Sequence, residues 1–256
     1  MAVNGVREVR EYIKAIGGFK SVTIIERATN MGLAASIIDG VTRLSAEHGQ
    51  VIVLEDDLVT SPHFLSYMND GLTRYEKDER VMQIAGYMFL VKLAIEDDAL
   101  FLPFISSWGW ATWQRAWRHF DPHAKNYQRL VNDVGLQRQF DLSSHYKYFK
   151  MLRAQQRGKI DSWAIRWYLS VFFCKGLVLY PRKTLVHNLG VDGSGVNCVA
   201  SSFVQDYPEK DFRVTAWPSS IEISAHAQTV YQNMPSPKLS TVSILNRMKN
   251  LLGMSG

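Results

Sequence analysis

Val51-Ile-Val-Leu-Glu-Asp-Asp57 decides how this chain is read. Four apolar residues in a row are of strand length, and a strand apolar on both faces suits a parallel sheet covered on each side. Three carboxylates follow at once. In open α/β sheets, ligands bind at the carboxyl ends of strands. Three adjacent anions repel one another, which costs stability unless a cation sits among them. A hard divalent ion, Mn²⁺ or Mg²⁺, matches such oxygen donors and keeps open positions for substrate phosphates. The plainer alternative is a solvated acidic loop capping the helix that opens at Ser61, with Pro62 at its first position.

Working outward, the flanks alternate between two periodicities. Ser21-Val-Thr-Ile-Ile-Glu26 is β-branched and reads as a strand. Leu33, Ile37, Val41 and Leu44 mark a helix between it and the acidic strand. Further upstream, Val6, Val9, Ile13 and Ile16 recur at helical spacing until Gly17-Gly18 stops them. Residues 81–85 read as the next strand. Strands alternating with helices indicate α/β architecture with right-handed crossovers. Downstream, Trp108, Trp110, Trp113 and Trp117 fall within ten residues. The spacing of Trp110, Trp113 and Trp117 is helical and favours a core role, whereas Trp108 precedes Gly109 in a loop. Residues 127–174 read mostly as helix, and Leu177-Val-Leu-Tyr180 as a short strand closed by Pro181. Residues 188–197 hold Gly190, Gly193 and Gly195 and read as a mobile loop. Beyond Ile221 the periodicity is weak, although Leu239, Val242, Leu245, Met248 and Leu252 fit a short amphipathic helix. That helix would pack on its own domain or rest on anionic lipid.

Composition removes several classes. The chain has 256 residues, of which 46% are hydrophobic and 21% charged, so disordered and fibrous proteins are excluded. This length fits one compact unit of residues 1–220 followed by a tail. The net charge of +5 suits a phosphate-bearing ligand but is too weak to argue for nucleic acid. Two cysteines, Cys174 and Cys198, exclude a disulfide scaffold and fit a reducing compartment. With no apolar run of membrane-spanning length and no secretory leader, the expectation is a cytoplasmic protein, with peripheral contact at the inner membrane face as a further option. No Gly-x-x-x-x-Gly-Lys-Ser/Thr loop, no Gly-x-Gly-x-x-Gly after a strand and no Gly-x-Ser-x-Gly elbow occurs. P-loop, dinucleotide and serine-hydrolase chemistries therefore lack support.

Four segments carry a family resemblance. Glu55-Asp56-Asp57, with Val59-Thr-Ser-Pro-His-Phe64 behind it, resembles the acidic metal motif of GT-A fold glycosyltransferases. The likeness is to family 2-like bacterial sugar transferases and to N-acetylglucosaminyltransferase I-type enzymes. Glu26-Arg-Ala-Thr-Asn-Met-Gly-Leu33 resembles the loop framing the nucleotide, Ser106-Ser-Trp-Gly-Trp-Ala-Thr-Trp113 the acceptor segment, and Asp161-Ser-Trp163 the helix start that supplies a base. The resemblance implies a Rossmann-like mixed sheet with flanking helices. It also implies a metal-dependent, inverting transfer from a nucleotide-sugar donor, a UDP-sugar being favoured, to a glycan or lipid-linked acceptor.

In that reading Asp57 holds the metal, with His187 as a further ligand. Glu55, Asp56, Arg27 and Asn30 contact the nucleotide sugar, and Trp108, Gly109 and Trp110 line the acceptor site. Asp161 takes the acceptor's proton. Simpler roles stand beside these: Asp161 as a helix N-cap, His187 as a structural histidine, the tryptophans as core. Arg182 and Lys183 could add positive charge near a diphosphate. The family also expects one or two strands before residues 21–26, so the resemblance implies an N-terminally truncated fold with open sheet edges and a tendency to homodimerise. A non-catalytic sugar- or partner-binding remnant is the alternative, and a metal-dependent phosphoryl-transfer enzyme a third.

Overall fold

The computed structural model describes residues 3–192 and 205–234. Among these residues the chain forms a mixed α/β fold. It opens with α1 (Val3–Lys14), an exposed stretch, and α2 (Leu33–His48), followed by β1 (Gln50–Val53) and β2 (Leu58–Thr60). Next come α3 (Phe64–Arg74), β3 (Val81–Ala85), β4 (Ala99–Leu102), β5 (Trp110–Trp113) and α4 (Gln114–Trp117). A helical stretch follows, made of α5 (Tyr127–Asn132), α6 (Val134–Phe140), α7 (Tyr148–Gln156) and α8 (Trp163–Phe173). Last are β6 (Leu177–Pro181), β7 (Val186–Asn188) and α9 (Ala227–Asn233).

Five strands make one open sheet in the order β1-β5-β3-β6-β4, and β2 pairs separately with β7. Only β3 and β6 run parallel; the other pairs are antiparallel. Strand alternation sends side chains to two cores. Leu100, Leu102, Trp110, Val178 and Tyr180 face α2, α8 and α9, while Phe101, Ala111, Trp113, Leu177 and Leu179 face α3. A register irregularity between Val81 and Gln83 lets Gln83 turn toward α8, where its Oε1 accepts from Trp167 Nε1 at 2.8 Å.

Several sequence expectations need correction. Residues 21–26 form no strand and are exposed, and no described strand lies beside them. Local β propensity cannot make a strand without a neighbour. Glu26 and Arg27 are instead tied to α1: Arg10 pairs with Glu26 at 3.2 Å and donates to the Arg27 carbonyl at 2.9 Å. The acidic strand β1 is a half-buried edge, antiparallel to β5, and not a central parallel strand. Val51 and Val53 pack toward α2 and Ile52 toward the core under α3, while the outer edge of β1 has no strand partner among the described residues. Trp110 and Trp113 lie in a strand, where three-residue spacing puts them in opposite cores rather than on one helix face. Ser61 caps a turn ahead of α3 through His63 N–H at 3.1 Å, and the helix begins at Phe64. The helical reading of residues 127–174 matches α5 to α8.

Residues 205–234 run back over the sheet. Ala216 O accepts from Asp98 N–H at 2.8 Å, Ser224 N–H donates to Phe101 O at 2.9 Å, and Val230 of α9 is fully buried. The amphipathic pattern of residues 239–252 lies outside the described residues, as do Gly193 and Gly195. No described helix is long and apolar enough to cross a membrane.

Candidate functional site

The end of β1, the end of β3 and the start of β5 meet at one rim of the sheet, because Trp110 pairs with Val53 on one side and Ala85 on the other. Two glycines let the backbones close there. Gly86 N–H donates to Gly109 O at 2.6 Å, and a β-carbon on Gly86 would lie 2.8 Å from that oxygen. Gly109 has φ +61, and a β-carbon on it would lie 2.9 Å from Val186 Cγ1. Gly109 is therefore buried and used by the backbone, which corrects its expected role as an acceptor contact.

Glu55-Asp56-Asp57 turn out of β1 at this rim, closed by Leu58 N–H donating to Glu55 O at 3.3 Å. Burial, then the charges of Asp57 and Asp56, push the Glu55 carboxyl up to about 7. Burial and Asp56 also raise Asp57, against relief from its own backbone and from the Asn188 side chain. Asp57 Oδ1 is buried and has no hydrogen-bond partner. The β2–β7 pair brings Asn188 opposite Leu58, and Leu189 N–H donates to Asp57 O at 2.8 Å.

Trp108 sits half-buried on the same rim in a T-shaped contact with Tyr87, centroids 4.6 Å apart. Trp110 does not line a site: it is fully buried and stacks on Trp163 at 4.9 Å. That stack corrects its expected acceptor role and supplies another. It ties Trp163, the first residue of α8, to β5 two residues after Asp161. Ser162, and not Asp161, caps α8, its Oγ accepting from Ile165 N–H at 3.4 Å. Asp161 is exposed, and Arg166 Nη2 donates to its Oδ1 at 2.7 Å.

His187 is nearly buried in β7. It stacks on Tyr207 at 3.9 Å, with Nδ1 3.1 Å from Asp206 O. A carbonyl partner requires the proton on Nδ1. Arg27 pairs with Asp39 of α2, and Asn30 Oδ1 accepts from Gly32 N–H at 2.8 Å. Those contacts are local, and no described hydrogen bond or ion pair joins either residue to the triplet. Arg182 pairs with Asp98 at 3.0 Å and Lys183 with Glu209 at 2.7 Å.

Among the described residues, no three His, Cys, Asp or Glu side chains converge as a ready-made metal cage. Mg²⁺-type sites seldom need one, since one or two carboxylates plus waters and substrate phosphates complete the shell. Sequence reasoning missed Asn188 and Tyr87. Neither sits in a charged run, and their positions depend on pairings between distant segments. No protein-family model matches the chain, and no relative is found among curated proteins.

Proposed function

We propose that this chain is a metal-dependent, inverting glycosyltransferase of GT-A type. It would move a sugar from a nucleotide-diphosphate donor, a UDP-sugar first, to a glycan or lipid-linked acceptor. The observation that carries the reading is the Asp57 carboxylate. It stands at the carboxyl end of β1 beside two further acids, with one oxygen buried and unpartnered. Such an atom is costly unless something positive meets it. The donor set is all oxygen, which fits Mn²⁺ or Mg²⁺.

Asp57 would hold the ion, with Glu55 or Asp56 orienting its waters or the donor hydroxyls. When bound, the ion would neutralise charge on the departing diphosphate. The chain's own residues do the rest. The half-buried Trp108 offers an indole face for the apolar side of an acceptor pyranose. Asp161 accepts the proton of the acceptor hydroxyl as its oxygen bonds to the anomeric carbon and the carbon–phosphate-oxygen bond breaks. A single displacement inverts the anomeric centre. Arg166, largely buried, holds the Asp161 carboxylate in place.

Calorimetric titration with UDP-, GDP- and dTDP-sugars, with and without Mn²⁺, tests the reading. Metal-dependent binding to at least one, lost in Asp57→Ala, is the expected result. No binding to any member overturns it and leaves a non-catalytic binding protein. Nucleotide hydrolysis without sugar transfer would point to phosphoryl transfer instead.

A further inference from the structure

Charge is spread unevenly along this chain. Residues 142–160 contain five Lys and Arg, at 147, 150, 153, 157 and 159, and no Asp or Glu. Take those five away and the 24 remaining Lys and Arg balance the 24 Asp and Glu, so the whole net charge of +5 resides in this stretch. Helix α7 occupies its centre, from Lys147 at the N-cap to Arg157 at the C-cap. Lys150, Arg153 and Arg157 follow at intervals of three and four, which on a helix puts them on one face. All three are exposed, while Leu152, on the opposite side of the helix, is fully buried. At 1.5 Å per residue the row is about 10 Å long.

No acid answers this row. The four carboxylates of residues 121–174 are engaged elsewhere. Asp121 accepts from the N–H groups of His123 and Lys125, and Asp133 caps α6 at Leu136 N–H. Asp141 accepts from Phe149 N–H at 2.7 Å, and Asp161 pairs with Arg166. Among the described residues no ion pair reaches Lys150, Arg153 or Arg157. Residues 193–204 and 235–256 contain no Asp or Glu at all. The aromatic rings of α7 are occupied too: Tyr148 packs on Tyr168 at 4.5 Å and Phe149 stacks on Tyr127 at 6.0 Å. A nucleic-acid surface would set rings free to stack on bases beside its cations. A ring-free row of cations on a convex helix suits a broad anionic plane instead.

We propose that α7 is an electrostatic docking face for an anionic bilayer, with Lys150, Arg153 and Arg157 meeting acidic phospholipid headgroups. The attraction fades within a Debye length, so the helix must lie on the headgroups themselves. The inference does not depend on the transferase reading, since lipid binding needs neither metal nor donor. Under that reading, Asp161 stands two residues after Lys159 and would work beside the bilayer that holds a lipid-linked acceptor.

Sedimentation of the full chain with vesicles tests this, using phosphatidylcholine alone and phosphatidylcholine with about a third phosphatidylglycerol. Wild type should bind the acidic vesicles and leave the neutral ones. It should be released in about 1 M NaCl, where the Debye length shrinks to about 3 Å. The triple variant Lys150→Ala, Arg153→Ala, Arg157→Ala should bind roughly a hundredfold more weakly. Its thermal midpoint should stay near wild type, because alanine favours a helix. Should it fail to fold, Lys150→Gln, Arg153→Gln, Arg157→Gln decides. Exchanging the cations, as Lys150→Arg, Arg153→Lys, Arg157→Lys, should preserve binding. Lys238→Ala, Arg247→Ala, Lys249→Ala should weaken it less than the α7 variant does. Absent binding to acidic vesicles, equal binding to both lipids, or a loss confined to the residue 238–249 variant overturns the proposal. Binding to duplex DNA or inorganic polyphosphate with none to vesicles also overturns it and assigns the face to a soluble polyanion.

Discussion

Trp108 and Trp110 are two residues apart and have opposite fates. Trp110 is sealed between the sheet and Trp163, so Trp110→Ala is expected to cost about 3–5 kcal/mol. Urea unfolding reads this directly. Trp108→Ala should unfold within about 1 kcal/mol of wild type but raise the KM for acceptor, if the proposed stacking holds. Asp98 makes a different prediction. Burial opposes its ionisation, yet N–H donors of Ala216 and Thr215, the Thr215 hydroxyl and Arg182 outweigh that and hold its carboxyl below the usual value. Because the folded value lies below the unfolded one, the stabilisation is full above about pH 4 and fades as pH falls through the folded value. Asp98→Asn should cost about 2 kcal/mol at pH 7. Wild type should lose that advantage on acidification toward pH 3. Equal losses in both proteins between these pH values would refute the assignment.

At the scale of elements, legibility depended on whether the deciding partner was local. The helices α2 and α8 are written in their own periodicity, and the acidic turn in its own charges. Residues 21–26 carry strand propensity, but pairing decides a strand, and no local signal reports a missing neighbour. Trp110 and Trp113 show the same limit: a three-residue interval fits a helix face and also fits opposite faces of a strand. Asn188 could not be singled out, since its place comes from pairing with Leu58 and from Gln205, both distant in sequence. The glycine rim was half legible, because Gly109 between tryptophans is visible but its contact with Gly86 is not. Gly109→Ala places a β-carbon at φ +61 against Val186 and Phe64. It is expected to destabilise by about 1–3 kcal/mol, with the thermal midpoint as the readout. At the start of α8, Arg166→Ala should free Asp161 and lower kcat more than KM, under the proposed role of Asp161.

For the whole molecule, the open flank of β1 adjoins a cavity of about 390 Å³ lined by Leu44, His48, Val51, Ile52 and Leu72. Val9, Tyr12, Phe19, Val22 and Ile25 are all exposed upstream. Unpaired edges and contiguous apolar surface favour association. Light scattering should therefore show self-association rising with protein concentration. The double substitution Ile24→Lys, Ile25→Lys should reduce it, and unchanged scattering would count against the exposed stretch as the cause.

The place of β6 in the sheet has a consequence for how the chain is made. β4 leaves the ribosome long before β6, yet among the described residues its only sheet neighbour is β6, and Val81 of β3 waits for Leu177 in the same way. Until residue 181 is synthesised, the hairpin-like half around β1, β5 and β3 can assemble, while Ala99–Leu102 has nowhere to go. The last strand inserted is thus the one that joins the two halves, and closing so long a loop is slow. The nascent chain thus carries an unsheltered apolar strand while the residues from 103 to 181 are made, a stretch in which exposed apolar surface favours misassembly.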